Sequence, residues 1–346
     1  MNSPPAIIGW DVGGVNTKAV RLERSAEGDS LRTRCRPLEM QHHSHSLPPV
    51  LVEVARELGA GPADLHAVTM TAELSQAFRT KREGVGFVLH AFDTAFPGAG
   101  LHVFTVEGRF LTGQEALSLP LAVGAANWAA TARLVARLVP TCLLMDIGTT
   151  SADLIPIVQG QVVAQGSTDP DRLLTGELVY TGALRTPAEA VSARVPLWGG
   201  NARVAAEGFA LIGDAHLWLG RLQPEDYTCR TPDGRPATRH FAAERLARTV
   251  CADRDMLDDA EVDAIAAAFA GAQVRTVVDA LAPIVVRWPE IRSAVVTGLG
   301  DFIAIEAAGA AGLTVVPLAD HLGPASRLAP AAAVAWLLRH SLEREG

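Results

Sequence analysis

Cysteine is scarce in this sequence, and its few copies are far apart. The 346 residues include Cys35, Cys142, Cys229 and Cys251, and no two of them form a CxxC pair. A disulfide framework or a zinc knuckle needs paired or closely spaced cysteines. The spacing therefore argues against both designs and fits a reducing cytosol, so we expect a cytoplasmic protein.

Clusters of positive charge and aromatic side chains are also missing. Thirty Lys and Arg residues are scattered among 38 Asp and Glu, the formal net charge is −8, and aromatic residues make up 5%. A nucleic-acid-binding face needs clustered basic residues, so nucleic acid is not an expected partner. An anionic small substrate would then need local help from backbone N–H groups, a lysine or a metal ion.

The sequence offers no convincing membrane segment. Its longest uncharged stretch, residues 116–132, is mostly alanine and contains Pro120, Gly124 and Asn127, which is too weakly apolar to span a bilayer. It predicts a buried helix within an Ala-rich segment at 114–138. Because no basic region precedes the first apolar run, neither a signal peptide nor a membrane partner is expected.

Aliphatic residues, in contrast, are plentiful. Hydrophobic residues make up 49% of the chain and charged residues 20%, a balance typical of a sheet covered by helices. A chain of this length predicts two domains. We place the first at 1–140 and the second at 141–346, with a helical insertion at about 200–285 and the option of a C-terminal helix packed back on the first domain.

The two predicted domains open in the same way. Residues 7–23 (IIGWDVGGVNTKAVRLE) and 143–157 (LLMDIGTTSADLIPI) each contain an apolar strand ending in Asp, a Gly-containing turn and a second strand. Such a repeat predicts a duplicated α/β domain with a central cleft, and two unrelated hairpins are the alternative. Further helices are expected at 48–58, 81–96, 203–219, 238–253, 259–282 and 324–340, strands at 65–71, 293–300 and 313–318, and a hairpin at 101–112.

The first hairpin has the residues of a phosphate site. Gly13 and Gly14 follow the strand that ends near Asp11, and glycine lets backbone N–H groups approach phosphate oxygens because it has no Cβ. Asp11 would hold Mg²⁺, and Lys18 would place a point charge at the phosphates. An ordinary turn in which Asp caps local N–H groups is the alternative.

The second unit would supply the facing wall of the site. Asp146 is the second candidate Mg²⁺ ligand, and the turn after it would donate to phosphate oxygens through Gly148, Thr149, Thr150 and Ser151. Further on, VVTGLGD (295–301) is a strand that enters a glycine turn before a helix. Gly298 and Gly300 would accept an anionic or flat group at that helix N-terminus, although a purely structural turn fits the same pattern.

These three elements, in this order, resemble the phosphate-1, phosphate-2 and adenosine-type motifs of the actin, sugar-kinase and Hsp70-like superfamily. The resemblance implies actin-like, ribonuclease-H-like domains. Four later segments narrow it, and the chain resembles the hydantoinase/oxoprolinase-related family tied to tetrahydromethanopterin-linked one-carbon metabolism. The segments are GELVYTGALRTP (176–187), ARVAAEGFALIGDAHLWLG (202–220), EDYTCRTPDGRPATR (225–239) and LARTVCADRDML (246–257). The resemblance covers nearly the whole chain and is weakest at 25–65.

This resemblance implies a transferase of methanofuran or methylofuran biosynthesis, active in methylotrophs in the bacterial case. It would join an aminomethylfuran-methyl diphosphate to the phenol of a tyrosine, tyramine or glutamyltyramine derivative, form an ether and release diphosphate. The partners would be small molecules, and ATP is not expected to be required. A homodimer is left open.

For the base that accepts the phenol proton, the sequence offers several carboxylates and does not rank them. We select Glu177 as a catalytic candidate. The alternative bases are Asp169, Asp171 and Asp226, and three further polar residues lie nearby in sequence, namely Tyr180, Tyr227 and Arg185. Two rival functions also stay open. One is an ATP-dependent kinase or hydantoinase-like hydrolase, and the other is a non-catalytic nucleotide-binding module of one-carbon metabolism.

Some polar residues have simpler interpretations. His42, His43 and His45 are expected to form a solvated loop cluster, because no carboxylate or cysteine lies at metal-ligand spacing. Asp214 and His216 are expected to be a helix-surface pair.

Two further residues fall among turn formers. Cys229 is expected to have a loop role, because no neighbouring histidine would activate it as a nucleophile. Trp198 is expected in a turn, where it either lines a phenol pocket or packs beneath the site.

Overall fold

The computed structural model describes residues 5–25 and 28–345, and these divide into two compact units. Unit 1 contains the described residues up to Pro140, the segment Ile157–Val163 and the residues from Leu318 onward. Unit 2 contains Thr141–Pro156 and Ala164–Pro317. The C-terminal helix belongs to unit 1.

Strands and helices alternate through both units. The strands are β1 Ile7–Val12, β2 Asn16–Ser25, β3 Gly28–Pro37, β4 Leu65–Met70, β5 Leu101–Phe104, β6 Phe110–Leu111, β7 Cys142–Ile147, β8 Ala152–Val158, β9 Gln161–Val162, β10 Leu178–Val179, β11 Arg194–Leu197, β12 Gly200–Arg203, β13 Ser293–Thr297 and β14 Thr314–Pro317. The helices are α1 Met40–His43, α2 Leu47–Leu58, α3 Lys81–Ala95, α4 Gly113–Ser118, α5 Pro120–Val123, α6 Asn127–Leu138, α7 Asp169–Thr175, α8 Ala188–Val191, α9 Ile212–Trp218, α10 Arg239–Arg248, α11 Asp259–Arg287, α12 Asp301–Ala310, α13 Ala319–Leu322 and α14 Ala329–Glu345.

The sheet of unit 1 has the strand order β3-β2-β1-β4-β5-β6. β1 pairs antiparallel with β2 and parallel with β4, and β4 pairs parallel with β5. Every residue of β1 is buried, as expected for a central strand covered on both faces. Gly9 lets α14 pack directly on this strand, because a Cβ at Gly9 would lie 2.0 Å from the carbonyl oxygen of Ala331.

The sheet of unit 2 repeats this design with the order β10-β8-β7-β13-β14. β13 pairs parallel with both β7 and β14, so β8-β7-β13-β14 corresponds to β2-β1-β4-β5 of unit 1. All of β7 is buried, as is all of β1. The predicted α/β class and the predicted repeat of a strand, turn and strand are confirmed.

Two predicted helices are wrong in extent. The segment 114–138 is three helices, because Pro120 lacks the N–H that would continue α4 and Ala125 has a left-handed φ of 52°. The segment 203–219 is helical only from Ile212, because the residues before it belong to the hairpin β11–β12 and its exit.

By length and composition alone, α11 could cross a membrane, and 39% of its most apolar 18-residue window is buried. Its start is fixed by a capping box between Asp258 and Glu261. Its middle contains Gln273, which is fully buried and hydrogen-bonded within unit 2. These are properties of a helix that packs within a folded domain.

Candidate anion-binding site

Asp11 and Lys18 lie opposite each other in the register of β1 and β2. Lys18 Nζ is 3.6 Å from Asp11 Oδ2, and the two side chains are 26% and 6% exposed. Lys18 is one of only two lysines in the chain, the other being Lys81. The first hairpin therefore joins a buried carboxylate to a partly exposed ammonium group, as the sequence predicts.

The turn of this hairpin is tight at one glycine and open at the next. Gly13 N–H donates to Asn16 O at 2.9 Å, and a Cβ at Gly13 would lie 2.9 Å from that same oxygen. A Cβ at Gly14 would meet no described atom within 4 Å. The turn thus leaves free space at Gly14.

In unit 2, β7 ends near Asp146, which is 9% exposed, and leads into the loop 148–151. Gly148 N–H donates to Ser151 O at 2.9 Å and closes the loop. The segment after Gly182 fastens it further, because the N–H groups of Ala183 and Leu184 donate to the carbonyls of Gly148 and Thr149. The loop is therefore held in one conformation by backbone hydrogen bonds from residues distant in sequence.

Gly182 itself presses on the loop 148–151. A Cβ at this position would lie 2.5 Å from Thr150 N, 2.6 Å from the carbonyl carbon of Thr149 and 2.7 Å from Gly148 O. Real Cβ atoms do not approach backbone atoms so closely. Gly182 is a site residue that sequence reasoning missed, because nothing local distinguishes it from other turn glycines.

The glycine turn after β13 lies beside the end of β7. Thr297 lies opposite Asp146 in the parallel register, and Gly300 N–H donates to Ile147 O at 2.8 Å. Gly298 has φ +97°, and a Cβ there would lie 2.2 Å from Ile147 O and 2.7 Å from Asp146 Oδ1. Unit 2 thus brings together Asp146, the loop 148–151 and the predicted glycines at the carboxyl ends of two parallel strands, where α/β folds bind ligands.

A buried chain of hydrogen bonds leads from α9 to the segment at Gly182 that holds the loop 148–151. Gln273 Nε2 donates to Thr181 Oγ1 and to Gly182 O, both at 2.8 Å. Its Oε1 therefore accepts from His216 Nε2–H at 2.7 Å, which fixes the imidazole tautomer. His216 is fully buried rather than on a helix surface, so that prediction is wrong. No local signal could have revealed the pairing, since His216 and Gln273 are 57 residues apart.

Asp214, also expected at the surface, is instead the centre of a buried ion pair. Its Oδ1 accepts from Arg245 Nε at 2.9 Å, from Arg245 Nη2 at 2.7 Å and from the hydroxyl of Tyr227 at 3.2 Å. Asp214 and Arg245 are both fully buried. Burial raises the pKa of Asp214, and the guanidinium of Arg245 opposes that shift. This cluster also includes Tyr227, which the sequence offers only as a polar residue near the candidate bases.

Glu177 is 1% exposed, and its carboxylate already accepts three hydrogen bonds. The donors are Gln165 N–H at 2.7 Å, Gly166 N–H at 2.8 Å and Thr175 Oγ1 at 3.0 Å. A carboxylate so engaged anchors the chain around residues 165–175. The geometry favours a structural role over the general-base role predicted for it.

The other candidate bases are engaged in helix capping or in an ion pair. Asp171 and Asp226 each take part in a capping box at a helix start, and Asp169 Oδ1 lies 3.7 Å from a guanidinium nitrogen of Arg172. The side chain of Tyr180 is exposed. Arg185 is exposed as well, and its backbone N–H donates to the loop 148–151 at Thr149 O.

The histidine cluster is solvated, but it does not lie in a loop. His42 and His43 end α1 and His45 lies in a 3₁₀ turn, with all three exposed. In the part of the chain that the structure describes, no group of three or more His, Cys, Asp or Glu side chains is placed to hold a metal.

Cys229 is half-buried. Trp198 is 62% exposed at a hairpin turn with φ 48°, so it does not pack beneath a site.

We expect the free energy of unfolding to fall as the pH falls from 6.5 toward 4. Burial lowers the pKa of His66 and of His216 to about 4 from 6.5, and His66 Nδ1 accepts from Trp10 Nε1 at 3.1 Å. In this window the unfolded chain binds more protons than the folded chain, so acid favours unfolding. The loss between pH 7 and pH 5 is about 2 kcal/mol for each histidine.

Urea unfolding at several pH values measures this slope. His66→Gln and His216→Gln should each flatten it, whereas His240→Gln, at a side chain that is 74% exposed, should leave it unchanged. A parent protein equally stable at pH 7 and pH 5 would contradict the prediction.

Comparison with known proteins places this geometry in a family. The hydantoinase/oxoprolinase family matches residues 64–341. The chain is 34% identical over 340 residues, 98% of its length and 99% of the relative's, to the "(4-{4-[2-(gamma-L-glutamylamino)ethyl]phenoxymethyl}furan-2-yl)methanamine synthase" of Methanocaldococcus jannaschii. It is 33% identical over 166 residues, 48% of its length and 74% of the relative's, to the synthase of the same name from Methanococcus vannielii.

Among solved structures, the fold is similar to a nucleotide-free acetone carboxylase, with a TM-score of 0.63 and 12% identity over 96% of this chain and 70% of that chain. That structure shares the fold of this chain, in agreement with the predicted α/β class. The relatives are named synthases, so the comparisons support a biosynthetic enzyme. The chain belongs to the hydantoinase/oxoprolinase family.

Proposed function

We propose that this enzyme forms an aryl ether of a furan in methanofuran or methylofuran biosynthesis. The observation that carries the proposal is the 34% identity to a synthase along 98% of the chain. The relative's product name contains a phenoxymethyl-furan, in which one ether bond joins a phenol to a furan-methyl group. Such a bond divides the product into a phenolic acceptor, with tyrosine or a tyramine derivative as candidates, and an activated furan-methyl donor.

The proposed donor is an aminomethylfuran-methyl diphosphate. Its C–O bond to diphosphate breaks, and the electron pair leaves with the diphosphate. The phenol oxygen forms the new C–O bond, and its proton passes to the released diphosphate or to solvent. Because the furan ring stabilises positive charge at the CH₂ group, the main task of the enzyme is to stabilise the departing anion and position the phenol.

The anion-binding elements described above suit that task. The loop 148–151 and the turn at Gly298 present backbone and hydroxyl groups beside Asp146, and Lys18 supplies a cationic charge on its own hairpin. Preorganised donors of this kind stabilise a developing anion without reorganising during the reaction. Asp11 and Asp146 each offer hard oxygen donors of the kind that Mg²⁺ takes, and an Mg²⁺ ion held by either carboxylate would neutralise diphosphate charge.

The deciding experiment mixes purified protein with the furan diphosphate and tyrosine, tyramine or γ-glutamyltyramine, with and without ATP. We expect diphosphate and an ether product, detected by mass spectrometry, in equal amounts and independently of ATP. Turnover of ATP without ether formation would instead support the kinase or hydrolase function. Nucleotide binding without any turnover would support the non-catalytic module.

Lys18→Ala is expected to lower kcat/KM for diphosphate release by about 10²- to 10³-fold, because it removes a cation that stabilises the leaving group. Lys81→Ala is the matched control, since it removes the chain's other lysine at the first residue of α3. Steady-state kinetics of both variants measure the difference. Equal activity of Lys18→Ala and the parent would exclude Lys18 from the reaction.

A further inference from the structure

Unit 1 contains a groove of about 660 Å³ that the proposed reaction does not use. Its walls come from the turn between β5 and β6, from α6, from the turn into β9 and from the last turns of α14. Its volume falls within the usual range for small-molecule sites. Its lining therefore indicates which class of ligand it would accept.

The charge of this lining has a single sign. The ionisable residues are Arg109, Arg133, Arg137, Arg344, His102 and His340, and no Asp or Glu among the described side chains lines the groove. Four arginines in one groove contrast with the net charge of −8 of the whole chain. The groove therefore concentrates positive charge on a protein that otherwise repels anions.

The carboxylates just outside the groove neutralise only part of its positive charge. Glu107 Oε2 lies 3.2 Å from Arg109 Nε, and Glu343 is shared between Arg24 at 2.8 Å and His340 at 3.5 Å. Partial desolvation of its mostly exposed side chain and the nearby charge of Arg344 lower the pKa of Arg137. An anion that binds between or beside two like charges reduces their mutual repulsion, so its binding is favourable.

Arg133 is built into the wall rather than extended into solvent. Its Nη1 donates to Ala129 O at 3.1 Å, and a Cβ at Gly108 would lie 2.1 Å from its Nε. Gly108 has φ +93°, so glycine both permits this turn and makes room for the guanidinium. A guanidinium held in this way has already lost much of the side-chain freedom that binding would cost.

The rest of the lining is mostly apolar, and Gln161 and Ser341 are its uncharged polar side chains. Ala136, Leu337 and Leu338 are buried residues of the groove, with Val162 beside them. We propose that this groove is a second ligand site, distinct from the anion-binding elements near Asp11 and Asp146. Its ligand is a small polyanion that carries several phosphates or carboxylates. Arginine is the side chain best suited to bidentate contacts with both groups.

Titration calorimetry with tripolyphosphate and with citrate tests the site and separates the two anion chemistries. The test variant is Arg137→Gln/Arg344→Gln, since both residues are exposed and should be replaceable without unfolding. The control is Arg32→Gln/Arg34→Gln, which makes the same charge change at exposed positions of β3 in the same unit. The Lys18→Ala variant accounts for binding at the proposed reaction site.

We expect at least one of these anions to bind at the groove, with an affinity that the groove variant weakens about tenfold or more. Binding should persist in Lys18→Ala and in the Arg32/Arg34 control, and the tighter of the two anions identifies phosphate or carboxylate recognition. Arg133→Gln, at the built-in guanidinium, should weaken the same binding. Unchanged affinity in the groove variant, an equal loss in the control, or no binding of either anion would overturn the proposal, whatever the outcome for ether synthesis.

Discussion

Gly182→Ala is expected to lower kcat/KM for diphosphate release by about 100-fold or more. The added Cβ would overlap three backbone atoms of the loop 148–151, at 2.5 to 2.7 Å. Because backbone atoms cannot rotate away as a side chain can, either this loop or the segment 181–185 must shift. A shift of about 1 Å in an anion-binding loop misplaces the donors that stabilise the leaving group.

The control for this prediction is Gly309→Ala, which adds the same methyl group in the helix α12. A Cβ there would meet no described atom within 4 Å, and alanine in a helix should stabilise by up to about 1 kcal/mol. Kinetics and thermal melting of both variants separate a displaced loop from general unfolding. If Gly182→Ala keeps parental kcat/KM, the loop 148–151 does not act in the reaction.

Arg245→Met is expected to cost about 3–5 kcal/mol in the free energy of unfolding, because it leaves the buried carboxylate of Asp214 without its ionic partner. Asp214 Oδ1 would lose two of its three side-chain donors, those at 2.7 and 2.9 Å. Asp214 would then have to take up a proton or draw in water. Urea unfolding followed by circular dichroism measures the loss.

Two further variants test this explanation. Arg248→Met lies on the same helix α10 but removes a 39% exposed arginine, 3.6 Å from Asp233, and should cost at most about 1 kcal/mol. The double variant Asp214→Leu/Arg245→Met should be more stable than Arg245→Met alone, because no buried charge is left unpaired. A similar loss for Arg245→Met and Arg248→Met would show that the buried pair contributes no more than a surface pair.

Local patterns in the sequence predicted the strands and turns that contain the candidate site. The runs IIGWDV and CLLMDI are uninterrupted apolar segments that end near Asp, and both became fully buried central strands. Glycines at 13, 14, 148, 298 and 300 marked the turns, and neighbouring atoms approach closely at 13, 298 and 300. Strand identity and turn chemistry depend on neighbouring residues, which is why one sequence was sufficient for them.

Helix limits and buried polar partners were predicted less well. The Ala-rich segment 114–138 was expected as one helix, and a single proline together with the left-handed Ala125 divides it. Asp214 and His216 have the composition of a helix surface, yet α9 is buried on every side by unit 2. Burial of one helix depends on what the rest of the chain packs against it, and no local window contains that information.

The sequence by itself therefore determined the α/β class and the repeated hairpins, because each strand and turn follows from residues within about 15 positions of one another. Only the tertiary structure decided that Gly182 presses on the loop 148–151, that His216 reaches this loop through Gln273, and that arginines from three segments line one groove. The physical reason is that these contacts join residues tens to hundreds of positions apart. Their formation depends on the packing of whole strands and helices rather than on local conformational preference.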